Sequence, residues 1–227
     1  MQPVMKQFDF AWTLDTDGYY PAPLNTDYMQ VMHDENKIYA YSHTSRDQPS
    51  AVQHFWELTR GYLEHKNITV MDTPTLRHLT DALVMRDTFW NEWNRVLFMN
   101  DVEIVRLSWF RNDPYQDFFN YIDSLGGWWL YRWGDHGVRT LAVAFWVDKE
   151  DYFQMKIPYG HQNVCHCGDE HPNQVCKRFG EKKWWRCVDP KVGDKKVDPQ
   201  HRPDLWFRCR ECEGLARYKD EKAEETL

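Results

Sequence analysis

Helix-like and strand-like segments alternate along the first two thirds of the chain, and this alternation constrains the fold more than any other feature. Apolar residues three and four positions apart predict helices, whereas continuous or alternating apolar runs predict strands. The predicted helices are 26–36, 50–65 and 114–125, and the predicted strands are 7–14, 37–43 and 96–104. The segment 138–147 fits either type. The alternation predicts an α/β fold in which helices flank a sheet.

The composition supports a packed core and argues against one class of partner. Hydrophobic residues make up 42% and aromatic residues 16% of the 227 residues, which is enough to build a core. The formal net charge is −7, whereas a nucleic-acid binder needs a basic face. We therefore expect no nucleic-acid partner. No apolar run approaches the ~20 residues that cross a bilayer, so we also expect no membrane span in this chain.

Acidic residues lie at the ends of two predicted strands. Asp15 and Asp17 follow the first strand, and Asp101 and Glu103 close the third. Ligands of α/β sheets bind beyond the carboxyl ends of strands, so we expect both pairs to face a binding site. A third acid, Asp135, lies in a predicted turn. These five carboxylates are the first candidates for chemistry.

Each acidic pair has a functional and a plain interpretation. Asp15 and Asp17 can hold one Mg²⁺ or Mn²⁺ that keeps open positions for phosphate, but they also suit an ordinary turn because Gly18 follows. Asp101 and Glu103 could be solvent-facing acids at a sheet edge. Alternatively, Glu103 could act at the reacting carbon of a sugar as a nucleophile or as a charge stabiliser.

All six cysteines lie in the last third of the chain, where Lys, Asp, Gly and Pro become frequent. They are Cys165, Cys167, Cys176, Cys187, Cys209 and Cys212. Clustered cysteines form disulfides in an oxidising compartment or, with neighbouring histidines such as His161, a zinc site. The spacing matches no standard zinc finger, and both alternatives stay open.

Six stretches between residues 8 and 167 occur in a fixed order that resembles glycosyltransferase family 15, the fungal α-1,2-mannosyltransferases of the Golgi. The family reads W-R-V-E-P-D, S-N-F-E-I and E-R-W-G-D-A-P-V-H-S where this chain has residues 12–17, 100–104 and 131–140. Further matches cover 26–41, 109–127 and 157–167. The shared order and near-identical spacing are far more specific than any single motif.

The resemblance implies a GT-A-like fold, which is a nucleotide-diphospho-sugar transferase with a mixed sheet flanked by helices. It implies a Mn²⁺-dependent enzyme that transfers mannose from GDP-mannose to a mannoside or glycan acceptor. The transfer would retain the anomeric configuration and form an α-1,2 linkage in protein glycosylation. The family also implies the Golgi lumen or another part of the secretory pathway.

The resemblance also assigns roles by position. Asp15 and His161 would hold Mn²⁺, with Asp17 supporting the site. Glu103 would lie at the anomeric carbon, and Asp135 would lie near the acceptor hydroxyl as a base or positioning group. Three further residues of the matched motifs would bind substrate: Arg132, Trp133 and Tyr159.

The chain departs from the family pattern at several of these positions. Asp15 replaces a glutamate and is one methylene shorter, and Thr13 replaces an arginine. Asp101 replaces an asparagine and adds a negative charge beside Glu103, and Tyr131 replaces a glutamate. We therefore expect a divergent member whose donor and acceptor preferences do not follow from the family.

Family members carry a long segment, including a membrane anchor, before the motif that contains Asp15. That segment builds the first strands of the sheet and much of the nucleotide pocket. We therefore expect 1–165 to be the C-terminal part of a GT-A domain that lacks its N-terminal strands, with weak or absent activity on its own. Residues 166–227 would be an irregular extension rich in cysteine and histidine.

Two other functions compete with mannosyl transfer. One is an inactive pseudo-enzyme or fragment that acts as a binding module with a zinc- or disulfide-stabilised tail. The other is a metal-dependent hydrolase that uses the same acids on a positioned water. Tightly held Zn²⁺ would indicate the binding module, and Mn²⁺ held together with GDP would indicate the transferase.

Overall fold

The computed structural model describes residues 3–68, 79, 93–161, 164–167, 175–179 and 184–188. The strands are β1 (Phe10–Leu14), β2 (Gly18–Tyr19), β3 (Tyr39–Tyr41), β4 (Thr44–Arg46), β5 (Val96–Phe98), β6 (Val102–Arg106), β7 (Tyr152–Gln154), β8 (Tyr159–His161), β9 (Val164–His166), β10 (Val175–Phe179) and β11 (Trp184–Val188). The α-helices are α1 (Tyr28–Asp34), α2 (Phe55–His65), α3 (Leu107–Phe110), α4 (Asp113–Ser124), α5 (Gly127–Leu130) and α6 (Asp135–Trp146). Short 3-10 helices cover Pro3–Gln7, Pro49–Ala51 and Lys149–Asp151.

The central sheet is mixed and has the strand order β1-β6-β3-β7. Strand β6 runs antiparallel to both β1 and β3, while β3 and β7 are parallel. A second sheet has the order β2-β8-β9, and β4-β5 and β10-β11 form separate antiparallel pairs. A mixed sheet with flanking helices confirms the predicted α/β class.

Alternation along β3 and β6 separates two apolar layers. Tyr39 and Val105 belong to a large core that includes residues of α2, α4 and α6, whereas Ala40 and Ile104 belong to a smaller core that includes residues of α1. Successive side chains of a strand point to opposite faces. Glu103 therefore shares the face of Val105 and points toward the layer that contains α6.

Local sequence signals determine where α4 begins and how the chain passes from α4 to α6. The side chain of Asn112 caps α4 by accepting a hydrogen bond of 2.9 Å from the backbone N–H of Tyr115. Gly126 follows α4 with φ of 69°, a conformation that glycine adopts without strain. A Cβ on Gly127 would lie 2.1 Å from the ring of Trp133. The glycine pair thus lets this segment pack tightly against Trp133 just before α6 begins.

The structure corrects several predicted element bounds. The predicted strand 96–104 is two strands, β5 and β6. Between them, the backbone N–H of Met99 donates to the carbonyl of His43, and the carbonyl of Asp101 accepts from the backbone N–H of Asp15. The ambiguous segment 138–147 belongs to helix α6, and Asp135 is the first residue of that helix rather than part of a turn. The first strand covers only Phe10–Leu14 and is half-buried rather than buried.

Two predictions concern the chain as a whole. None of the helices in the described ranges is both long and apolar enough to cross a membrane. Strand β9 continues through the predicted boundary between residues 165 and 166. Most of the predicted extension 166–227, including Cys209 and Cys212, lies outside the described residues.

Candidate active site

Asp15, Asp17 and His161 come together beyond the end of β1. The backbone N–H of Gly18 bonds to the carbonyl of Asp15 at 2.9 Å and closes a tight turn. Strand β2 pairs with β8 so that Gly18 lies opposite His161. One ligand atom from each of the three side chains lies within 4.8 Å of the others, and His161 Nε2 is 2.8 Å from Asp17 Oδ1. The tight turn therefore carries two of the three clustered side chains, Asp15 and Asp17.

The donor set of this cluster fits a divalent cation. Carboxylate oxygens and an imidazole nitrogen suit Mn²⁺, and both aspartates are exposed to solvent. Partial desolvation of the Asp15 carboxyl raises its pKa, and the nearby charges of Asp101, Asp17 and Asp135 raise it further, whereas His161 lowers it. A bound cation would relieve this repulsion between carboxylates.

Asp101 connects the turn after β1, which carries Asp15, to strand β8, which carries His161. It is 5% exposed, and its carbonyl accepts a hydrogen bond of 2.9 Å from the backbone N–H of Asp15. Its carboxylate accepts hydrogen bonds from the Tyr159 hydroxyl and, at 3.0 Å, from the backbone N–H of Val102. Burial and the charge of Asp101 raise the pKa of Tyr159. Tyr159 is fully buried and contacts the site through its hydroxyl bond to Asp101, and its predicted contact with substrate stays a prediction.

Glu103 lies near the beginning of β6 and not, as predicted, at the end of a strand. Strands β1 and β6 are antiparallel, and Leu14 pairs with Val102. The end of β1 therefore lies beside the beginning of β6. This pairing, rather than a shared carboxyl edge, places Asp15 and Glu103 in the same region of the sheet.

The carboxylate of Glu103 is enclosed by protein and contacts a partner through each oxygen. It is 1% exposed, and its Oε1 forms an ion pair with Arg139. Its Oε2 accepts a hydrogen bond of 2.7 Å from the hydroxyl of Tyr39. Burial raises the pKa of Glu103 to about 7, and the Arg139 charge and the Tyr39 hydroxyl act in the opposite direction. Both oxygens are thus held in fixed positions.

Arg139 joins Glu103 to Asp135 and was not among the predicted site residues. Its Nη2 lies 3.0 Å from Asp135 Oδ2, one helical turn earlier in α6. The i, i+4 spacing of an acid and an arginine could have identified this pair. That signal depends on recognising a helix, which the sequence left undecided in this segment.

The remaining predicted substrate residues differ in exposure. Arg132 is exposed and has φ of 62°. Trp133 is 5% exposed, packs edge-on against Phe55, and donates a hydrogen bond of 2.9 Å from its indole N–H to the carbonyl of Gln53. Trp133 therefore packs in the core just before α6 begins, and its predicted contact with substrate stays a prediction.

Four of the six cysteines lie in described strands or directly beside one. Cys165 and Cys167 are disulfide-bonded, buried, and packed against Tyr19. Cys176 and Cys187 are paired positions of the β10-β11 ladder. A disulfide sulfur is not the thiolate that zinc requires. The bonded state of Cys165 and Cys167 therefore favours the disulfide alternative at these two positions.

Solved structures share this fold. Core-mannan synthase A from Aspergillus fumigatus, in its Mn/GDP form, matches 96% of this chain with a TM-score of 0.70 and 21% identity, over 55% of its own length. The mannosyltransferase Ktr4p from Saccharomyces cerevisiae, in complex with GDP, matches 98% with a TM-score of 0.69 and 22% identity, over 54% of its own length. These matches confirm the predicted GT-A-like fold.

Curated relatives and a family model agree with the structural match. The probable mannosyltransferase KTR4 of Saccharomyces cerevisiae is 26% identical over 217 residues, which are 91% of this chain and 44% of that protein. The O-glycoside alpha-1,2-mannosyltransferase homolog 4 of Schizosaccharomyces pombe is 25% identical over 73% of this chain and 44% of its own length. This chain thus spans less than half the length of these two relatives. The family model described as glycolipid 2-alpha-mannosyltransferase matches residues 1–186, so the chain belongs to glycosyltransferase family 15.

Proposed function

We propose that this chain carries the metal and catalytic residues of a retaining α-1,2-mannosyltransferase. Its donor would be GDP-mannose, and its acceptor a mannoside or glycan. The observation that carries the proposal is the cluster of Asp15, Asp17 and His161, whose ligand atoms lie within 4.8 Å of one another in a chain of this family. Supporting it, one solved relative was obtained in a Mn/GDP form and another in complex with GDP.

The three clustered side chains would hold Mn²⁺. When bound, this ion would neutralise the negative charge of the departing diphosphate. The residues contribute two carboxylates on a short turn and an imidazole from a neighbouring strand. Asp101 keeps that turn and the strand of His161 together through its bonds to Asp15 and Tyr159.

The transfer exchanges one bond at the anomeric carbon for another. The acceptor hydroxyl oxygen bonds to the anomeric carbon of mannose, and the bond from that carbon to the diphosphate oxygen breaks. GDP leaves with the electron pair. The hydroxyl proton passes to Asp135, whose side chain is 53% exposed, and from there to solvent. Retention requires the acceptor oxygen to enter on the face from which GDP departs.

Glu103 would act on this step through its charge. Because each of its oxygens already contacts Arg139 or Tyr39, the arrangement favours stabilisation of positive charge at the sugar over covalent attack. A fixed carboxylate in an enclosed position stabilises developing charge without reorganising. Of the two roles predicted for Glu103, we therefore favour the charge stabiliser.

We also propose that the chain functions in the lumen of the secretory pathway, in agreement with the family's Golgi location. The support within this chain is the disulfide-bonded state of Cys165 and Cys167. Disulfides persist in oxidising compartments and are rare in the cytosol. Colocalisation of the tagged protein with a Golgi marker tests this location, and a purely cytosolic signal would contradict it.

A transfer assay tests the proposed function. The chain is incubated with GDP-mannose, MnCl₂ and an α-mannoside, and products are detected by mass spectrometry because we expect slow turnover. We expect a Mn²⁺-dependent product one mannose longer, joined by an α-1,2 linkage. His161→Ala should abolish it, whereas His65→Ala, at an exposed position on α2, should not. No product, or free mannose alone, would contradict the proposal, and Zn²⁺ that resists dialysis would indicate the binding module instead.

A further inference from the structure

One guanidinium group contacts two carboxylates that come from different elements. Arg139 in α6 pairs with Glu103 of β6 through Nη1 and lies 3.0 Å from Asp135 through Nη2. Arginine presents its nitrogens in a rigid planar fork, so the two contacts fix the two carboxylates relative to each other. A lysine at this position would have one ammonium group and no fork.

These contacts form a line from the core to the surface. Tyr39 is fully buried, Glu103 is 1% exposed, the Arg139 side chain 21% and the Asp135 side chain 53%. The ring of Phe110 lies 5.4 Å from the guanidinium carbon and restricts its movement. The outer carboxylate, Asp135, is therefore linked through Arg139 to the buried carboxylate of Glu103.

We propose that Arg139 is a positioning residue that aligns Asp135 with Glu103. This inference rests on the proposed function, because it assigns the two carboxylates to the acceptor and donor sides of one transfer. A half-exposed aspartate at the start of a helix has several rotamers, and the contact with Arg139 selects one of them. Misplacing a reacting group by about 1 Å can cost on the order of 100-fold in rate.

The charge of Arg139 and its fork can be separated experimentally. The charged and titratable groups around Glu103 include Arg139 and Asp135 from α6, Tyr39 from β3, Tyr115 from α4, and Asp101 beside β6. Arg139 is the cation in this set, and its charge lowers the pKa of Glu103. Arg139→Gln removes both the charge and the fork, whereas Arg139→Lys keeps the charge and removes the fork.

The experiment measures kcat and the acceptor KM of both variants across pH. The control is Arg60→Gln, which removes the arginine of another i, i+4 pair, with Glu64 at 3.6 Å on α2. We expect kcat to fall about 10- to 100-fold in both Arg139 variants, with GDP binding unchanged. The acidic limb of the kcat profile should move to higher pH in Arg139→Gln and should stay in place in Arg139→Lys.

The outcomes separate this inference from the function on which it rests. If the wild-type chain transfers mannose and Arg139→Lys retains full kcat, the positioning role is wrong and the proposed function stands. If kcat falls only in proportion to the folded fraction, measured by circular dichroism, the role of Arg139 is structural and the inference also fails. A wild-type chain that transfers no mannose overturns the proposed function and the positioning role together.

Discussion

Glu103 is a buried carboxyl group whose pKa lies above its ordinary value. Burial raises its pKa from the ordinary 4.5 to about 7. Between these values the folded chain holds a proton at Glu103 that the unfolded chain has lost. Stability falls with pH wherever the folded state binds more protons. Glu103 therefore lowers the free energy of unfolding as pH rises from about 4.5 to about 7.

We predict that Glu103→Gln removes this part of the pH dependence. Urea unfolding across that pH window should show a flatter decline in the free energy of unfolding than in the wild type. The absolute stability should also drop by about 3–5 kcal/mol, because Arg139 loses a buried partner. Glu64→Gln, on the exposed face of α2, should leave the slope unchanged. An equal slope in Glu103→Gln and the wild type would contradict the assignment.

The hydroxyl of Tyr39 is a second residue-level feature with a measurable effect. Tyr39→Phe removes the donor to Glu103 Oε2 and leaves a buried acceptor without it. We expect a loss of about 1–3 kcal/mol in unfolding free energy and a higher pKa of Glu103 in carboxyl ¹³C NMR. Tyr121→Phe is the control, because its hydroxyl makes only a 3.3 Å bond to the carbonyl of Leu58. A Glu103 pKa that does not rise would exclude the proposed role of the hydroxyl.

At the scale of elements, the packing of α5 against Trp133 determines where α6 begins. Gly127→Ala would place a methyl group 2.1 Å from the buried ring of Trp133. We predict a loss of about 1–3 kcal/mol in unfolding free energy from this overpacking. Gly61→Ala is the matched control: nothing lies within 4 Å of its Cβ, and it should stabilise α2 by about 0.5–1 kcal/mol. Equal thermal unfolding of the two variants would contradict this packing.

Elements were predictable where their periodicity was strong. The amphipathic spacing of 114–125 predicted α4 to within one residue at each end. By contrast, α6 has eight buried residues and no polar stripe along most of its length, so its sequence resembles a buried strand. The break between β5 and β6 goes with backbone hydrogen bonds to His43 and Asp15, which are distant in sequence, so no local pattern reveals it.

The candidate site could also be predicted only in part, because contacts between distant segments do not show in the sequence. The order of the family motifs identified Asp15, Asp17 and His161, and the structure places these three together. The motifs did not reveal that Glu103 is enclosed, or that Arg139 links it to Asp135, because both facts depend on the pairing of distant segments. The motif also did not reveal that Arg132 is exposed whereas its neighbour Trp133 is buried.

At the scale of the whole molecule, the second sheet connects the metal cluster to the disulfide-bonded cysteines. Strand β8 carries His161 and pairs with β9, and Gly160 of β8 lies opposite Cys165 of β9. We predict that reduction with dithiothreitol lowers stability by about 2–5 kcal/mol and weakens Mn²⁺ binding, because β9 loses a constraint. Calorimetry and Mn²⁺ titration with and without reductant measure both effects. Unchanged Mn²⁺ affinity after complete reduction would show that β9 does not support His161.

We propose that Asp15, Asp17 and His161 form a Mn²⁺ site that operates with GDP. Electron paramagnetic resonance measures it against a protein-free sample of Mn²⁺ and GDP, since binding to protein or to GDP weakens the sharp signal of free Mn²⁺. With GDP present, we predict stoichiometric binding by the wild type and by His65→Ala. Asp15→Asn and His161→Ala should bind far more weakly. If these two variants bind Mn²⁺ as tightly as the wild type does, Asp15 and His161 are not ligands of the ion.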